Sequence, residues 1–179
     1  MNFKKMALVS AMGMVMFAGA ANAADQGHGQ VFFDGSIIDA PCSLNSDSEK
    51  IDVHFDEVSN VLLQNGGTND GQTDPEDIII NLENCSVKTG ATVETTFTGA
   101  QGGQGKSSLG ITGTAKGASI ILTDGKSAPI TLGEATDGQA IQNGHNTLKF
   151  AAYLKGDGAS STIIPGTFSA VADFTLAYP

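Results

Sequence analysis

Arginine and tryptophan are absent from this 179-residue chain; all nine basic residues are lysines, set against 19 acids for a formal net charge of −10. Without arginine there is no bidentate clamp for phosphates or carboxylates. An acidic surface also repels a phosphate backbone, so nucleic-acid binding is not expected. Histidine is scarce: His28, His54 and His145 are scattered, and none sits in the paired spacing of a zinc or copper site. Serines are plentiful, but no nucleophile-elbow pattern accompanies them. No enzyme activity, metal or cofactor is expected. Helical periodicity is nearly missing as well, and 23 glycines with many β-branched residues point to an all-β chain. The length suits one domain.

Long apolar runs are also lacking, apart from residues 6–18. Lys4 and Lys5 precede that run and Ala21-Asn22-Ala23 follows it, the three-part pattern of an export signal cleaved after Ala23. The run is shorter than the roughly 20 residues needed to span a bilayer, so stable membrane insertion is not expected. Removing residues 1–23 takes away two lysines and no acid, leaving a still more acidic mature chain. Export in turn makes the two cysteines readable. Cys42 and Cys85 are the only pair, and an oxidising compartment favours their bridging. Closing so long a loop stabilises the fold by roughly 4 kcal/mol in the chain-entropy account. Zinc is the competing use, but the nearest histidine, His54, has no partner ligand.

Short alternating or continuous β-branched runs separated by Gly, Asn and Asp turns place candidate strands at residues 30–38, 50–55, 78–82, 92–98, 118–123, 128–132, 148–154 and 166–178. Residues 58–63 suit a short helical turn, and residues 65–76 a polar loop. Seven or eight strands with one disulfide suggest a β-sandwich. The last segment is the most informative. Phe168, Ala170, Ala172, Phe174, Leu176 and Tyr178 alternate with Ser169, Val171, Asp173, Thr175 and Ala177, which puts the first set on one face. At the other end Val31, Phe33 and Gly35 share a face with Gly27 and Gly29. Pairing within the molecule and a strand given to a neighbour are both compatible with this spacing.

Two sequences imitate chemical sites. Ala100-Gln101-Gly102-Gly103-Gln104-Gly105-Lys106-Ser107 fits a permissive phosphate-loop pattern, yet the Gly-rich and β-branched residues after it do not predict the required helix. Asp70, Asp74, Glu76 and Asp77 offer oxygen ligands without the calcium-loop spacing, and read as a solvated acidic loop.

Taken in order, several pieces resemble the chaperone–usher pilins, the subunits of type 1 and P-like fimbriae of Gram-negative bacteria. They are Phe33-Asp34-Gly35, Ile37-Ile38-Asp39-Ala40-Pro41-Cys42 and the run from Ile78 through Leu82 and Asn84 to Cys85. Next come Thr96-Phe97-Thr98-Gly99, residues 118–124 and Leu148-x-Phe150-x-Ala152-Tyr153. Gly166, fourteenth from the end, and the penultimate Tyr178 complete the likeness. The resemblance implies an incomplete immunoglobulin-like β-sandwich lacking its seventh strand. Its open groove would be bordered by residues 168–178 and completed by donor-strand exchange.

The implied organisation is a signal peptide at 1–23, a donor extension at 24–35 and a pilin domain at 36–179. Gly27, Gly29, Val31, Phe33 and Gly35 would form the donor face. Gly166, Phe168, Ala170, Ala172, Phe174, Leu176 and Tyr178 would serve the acceptor groove and the chaperone. The implied partners are neighbouring pilin subunits, a periplasmic chaperone and an outer-membrane usher, and the destination is a cell-surface fimbrium. A major shaft pilin is expected rather than a two-domain tip adhesin. A minor or adaptor pilin, or a single-domain adhesin binding a host glycan, is the alternative.

Overall fold

The computed structural model describes residues 29–66, 71–158 and 162–179, with side chains described outside 65–70. The chain divides into two units, Met1–Ile37 and Ile38–Pro179. In the first, residues 29–37 carry no strand, so the strand expected over 30–38 is not formed. A lone strand has no ladder partner to satisfy its backbone, which water does instead. The signal peptide, Gly27 and the first part of the expected donor extension lie outside the described residues, as does Asp70.

Among the described residues the second unit is all β apart from two short turns, a 3₁₀ turn at Ser46–Ser48 and a π-type turn at Leu62–Gly66. The strands in chain order are β1 (Ser43–Leu44), β2 (Glu76–Cys85), β3 (Thr92–Gly99), β4 (Gln101–Gly102), β5 (Gly105–Gly110), β6 (Thr112–Gly113), β7 (Ala118–Thr123), β8 (Gln139–Ala140), β9 (Gly144–Gly156), β10 (Phe168–Ser169) and β11 (Ala172–Ala177). One sheet runs β1-β2-β9-β7-β5-β4 and a second runs β11-β3-β8, with β10 and β6 forming a separate pair. All the described pairings of named strands are antiparallel.

Why these segments become strands follows from their patterning. In β2, Ile78, Ile80 and Leu82 alternate with Ile79, Asn81 and Glu83, and the first three are buried. β9 repeats that alternation through Leu148, Phe150, Ala152 and Leu154. β7 is buried at all six positions, as befits its place between β9 and β5. The sheets meet where Phe97 of β3 sets its ring edge-on to Phe150 of β9, with centroids 5.0 Å apart. Such a pair adds about 1 kcal/mol to the burial of both rings.

The cysteines are bonded as expected. Cys42 and Cys85, 43 positions apart, tie the chain just ahead of β1 to the end of β2. β1 itself pairs with β2 through Ser43 opposite Glu83.

Three more expected strands turn out otherwise. Residues 128–132 make only a single bridge, Pro129 to Thr123, because proline has no N–H to extend a ladder. Ile130 and Leu132 are nonetheless buried. Residues 50–55 have no strand partner, and 166–178 is two strands rather than one. β10 pairs with β6, whereas β11 pairs with β3, and the chain changes partners at Ala170 and Val171. Gly99 makes this crossing possible, since a Cβ there would meet Leu109 and lie 2.9 Å from the Val171 carbonyl oxygen.

Candidate functional site: an open apolar cleft

Between residues 49–58 on one side and 163–174 on the other lies a cleft of about 1280 Å³. Its floor is core: Ile78, Phe97, Leu109, Ile120, Leu122 and Leu154 line it. Its lips are two apolar rows. Ile51, Val53 and Phe55 alternate with exposed Asp52, His54 and Asp56. Across the cleft, Phe168, Ala170, Ala172 and Phe174 alternate with exposed Ser169, Val171 and Asp173, and Leu176 and Tyr178 continue the same face beyond the cleft. The apolar members of both rows are partly buried and pack on the core. They are not sealed.

The backbone tells the same story. Among the described residues, 50–58 take part in no inter-strand pairing, and β11 is paired on the β3 side alone. Each lip therefore presents unsatisfied N–H and C=O groups to the cleft, which is the condition that templates another strand. An apolar trough with two unpaired edges is a sandwich one strand short.

Gly166 stands at one end of this arrangement for a steric reason. A Cβ on it would strike the Thr114 hydroxyl and sit 2.7 Å from the Ala115 amide nitrogen. That close approach lets the Thr167 amide donate to Thr114 Oγ1 at 3.0 Å, while the Thr114 and Ala115 amides both donate to the Thr167 carbonyl. The C-terminal segment is thereby fastened before it enters the lip. At the other end Tyr178 packs on the core, and burial raises its phenol pKa above the usual 10.0.

The lip charges are mostly acidic. Asp52, Asp56, Glu57 and Asp173 are exposed there, and Lys50 offsets Asp52 through a 3.3 Å ion pair. The expected donor residues are exposed: Phe33 is 91% accessible, Val31 is also exposed, and Gly29 and Gly35 have open space around them. Ile37 is fully exposed and shares their parity, so the apolar face extends beyond Gly35, where the sequence reading stops.

Residues 50–58 are the part of the site that sequence reasoning misses. The signal is present, since Ile51, Val53 and Phe55 mirror the C-terminal row, but it reads as an ordinary strand. The phosphate-loop imitation proves to be the β4–β5 hairpin. Its Gly103 amide donates to Ser119 Oγ at 2.9 Å and its Gln104 amide to Ser108 Oγ at 3.1 Å, so both are committed internally. Among the described residues no cluster of His, Cys, Asp and Glu could hold a metal ion.

Residues 31–179 match the profile of the family described as "Fimbrial protein". This chain belongs to that family. Among curated relatives, this fimbrial protein is 55% identical over 158 residues to the Fimbria A protein of Serratia marcescens, a match covering 88% of each chain. It is 45% identical to the Major MR/P fimbria protein of Proteus mirabilis, covering 99% of both. Among solved structures, a subunit from a chaperone–usher pilus structure concerned with rod uncoiling superposes with a TM-score of 0.75 at 30% identity, covering 86% of this chain and 97% of that one. The P pilus rod subunit PapA follows at 0.69 and 28%, covering 78% of this chain and all of the other. The fimbrial protein thus has the incomplete immunoglobulin-like sandwich of the pilus subunits, a structural family, and its place is the cell-surface fimbrium.

Proposed function

We propose that this fimbrial protein is the non-catalytic major subunit of a fimbrial shaft, and that copies join when the N-terminal extension of one fills the cleft of the next. The open cleft carries the reading. An apolar trough with both edges unpaired leaves its half-buried apolar lips open to water, and an inserted strand removes that cost while satisfying both lips. The extension offers the matching element, with large apolar side chains at Val31 and Phe33 and glycines at 27, 29 and 35 where backbones must approach. Each large side chain so buried contributes about 1.5–3 kcal/mol.

A subunit with such a cleft is aggregation-prone on its own. A periplasmic chaperone that lends a strand answers that need, and an outer-membrane usher is the site where the borrowed strand is exchanged. On this reading residues 1–23 are the export signal and 24–35 the start of the donor segment. The similarity to major and rod subunits of other fimbriae supports the shaft role over an adaptor or a glycan-binding adhesin.

The test is a ladder assay. Fibres of the mature protein run as SDS-resistant oligomers, and deletion of residues 24–35 removes every band above the monomer. Unchanged ladders from the deleted protein would refute the reading.

A further inference from the structure

We propose that residues 50–58 form an arm that clasps the opposite lip through Phe55 on Phe168, and that the cleft takes up a strand only after this clasp parts. The inference deepens the preceding reading and rests on it. It adds a bridged state of the empty cleft and a step that limits how fast the cleft fills.

The contact is direct. Phe55 and Phe168 both line the cleft, and their ring centroids stand 6.1 Å apart. That separation lies within the range of about 4.5–7 Å for an attractive aromatic pair. The two rings come from opposite lips, so the pair spans the cleft. A strand seated between two lips lies about 4.8 Å from each and turns every second side chain inward. Rings in contact already fill the place that one such side chain needs. The trough is thus bridged at one point along its length, and an entering strand has to separate the rings there.

The two halves of the clasp are held differently. Phe168 is fixed: it pairs with Gly113, and both of its neighbours are bonded to the same segment. The Thr167 amide donates to Thr114 Oγ1 and the Ser169 carbonyl accepts from Thr112 Oγ1, each at 3.0 Å. Phe55 is not fixed in this way. Among the described residues, no backbone hydrogen bond joins residues 50–58 to another segment.

The arm's firm points lie beyond its two ends. On one side buried Ser48 accepts the Asn81 amide on its Oγ at 2.9 Å, and on the other Leu63 is buried. Between them only side chains hold the chain, with Ile51, Val53, Phe55 and Val58 half-buried against the core. Such a segment lifts without breaking a ladder, so it belongs to the low-stability end of the fold. The arm is the half that moves. While it is closed, each ring shields the other from water, which reduces the apolar surface of the unfilled subunit.

Stopped-flow mixing of the refolded mature subunit with an excess of a fluorescent synthetic peptide of residues 24–38 tests this. Uptake by the unaltered protein should level off as peptide concentration rises, because opening precedes binding. This measurement needs no variant, so it decides even where an altered protein fails to fold. Phe55→Ala and Phe168→Ala should each raise the limiting rate about twofold to tenfold, the rate equivalent of one aromatic pair. The double variant should go no further, since either change alone removes the contact.

A rate that climbs in proportion to peptide throughout would overturn the clasp and leave the cleft reading standing. So would variants that take up peptide no faster and only release it sooner, because the rings would then serve the seated strand alone. Fully additive acceleration would also overturn it, showing two rings that act separately. An unaltered subunit that takes up no peptide at all would overturn both readings.

Discussion

Phe174 of β11 lies directly opposite Phe97 of β3, with ring centroids 6.2 Å apart, and Phe97 in turn meets Phe150 across the sheets. One aromatic chain thus runs from the centre of the core to the lip of the cleft. The lip is not a loose flap. It is an outward extension of the core.

Phe174→Ala should therefore weaken the subunit as well as the cleft. Phe174 is only partly buried, so the loss should fall below that of a full core truncation, at about 2 kcal/mol. Urea unfolding of the refolded monomer measures it. A midpoint shifted by less than the error of the experiment would show that the lip is independent of the core.

The Cys42–Cys85 bond fastens the chain ahead of β1 to the end of β2. Replacing both cysteines with serine should cost about 4 kcal/mol, most of the stability of a domain already missing a strand. The check is a comparison of urea midpoints for the oxidised protein and the double variant.

Alkaline pH should loosen the end of the lip. Burial raises the pKa of Tyr178 above 10.0, so its neutral form is favoured in the folded protein. The stability linked to it is fully present below pH 10 and declines as pH rises through the higher folded value. Tyr153 shifts the same way for the same reason. Tyr178→Phe should remove part of the alkaline loss seen in thermal melts at pH 9 to 11, and adding Tyr153→Phe should remove more. An unchanged pH profile in the double variant would contradict this.

Much of the fold is legible in the sequence because it depends on local alternation. Ile78, Ile80 and Leu82 announce β2, Leu148 through Leu154 announce β9, and the row from Phe168 to Tyr178 announces a one-sided face. What stays hidden is non-local. The change of partner at Val171 depends on Gly99 and Leu109, far away in the chain. The failure of residues 50–55 to pair has no local signal, since Ile51, Val53 and Phe55 alternate as any strand does. A missing neighbour leaves no mark on the segment that lacks it. The exposed Ile37 is a similar case: it lies in the strand expected over 30–38, but the donor extension is drawn only as far as Gly35.

Hydrogen exchange on the backbone amides of Ile51, Val53, Phe55 and β11 tests the central claim most directly. In the isolated subunit, amides 51–57 and the cleft-facing amides of β11 should exchange at near-solvent rates, and a synthetic peptide of residues 24–38 should slow both sets together. If those amides are already protected in the subunit alone, the sandwich is closed from within and the account fails.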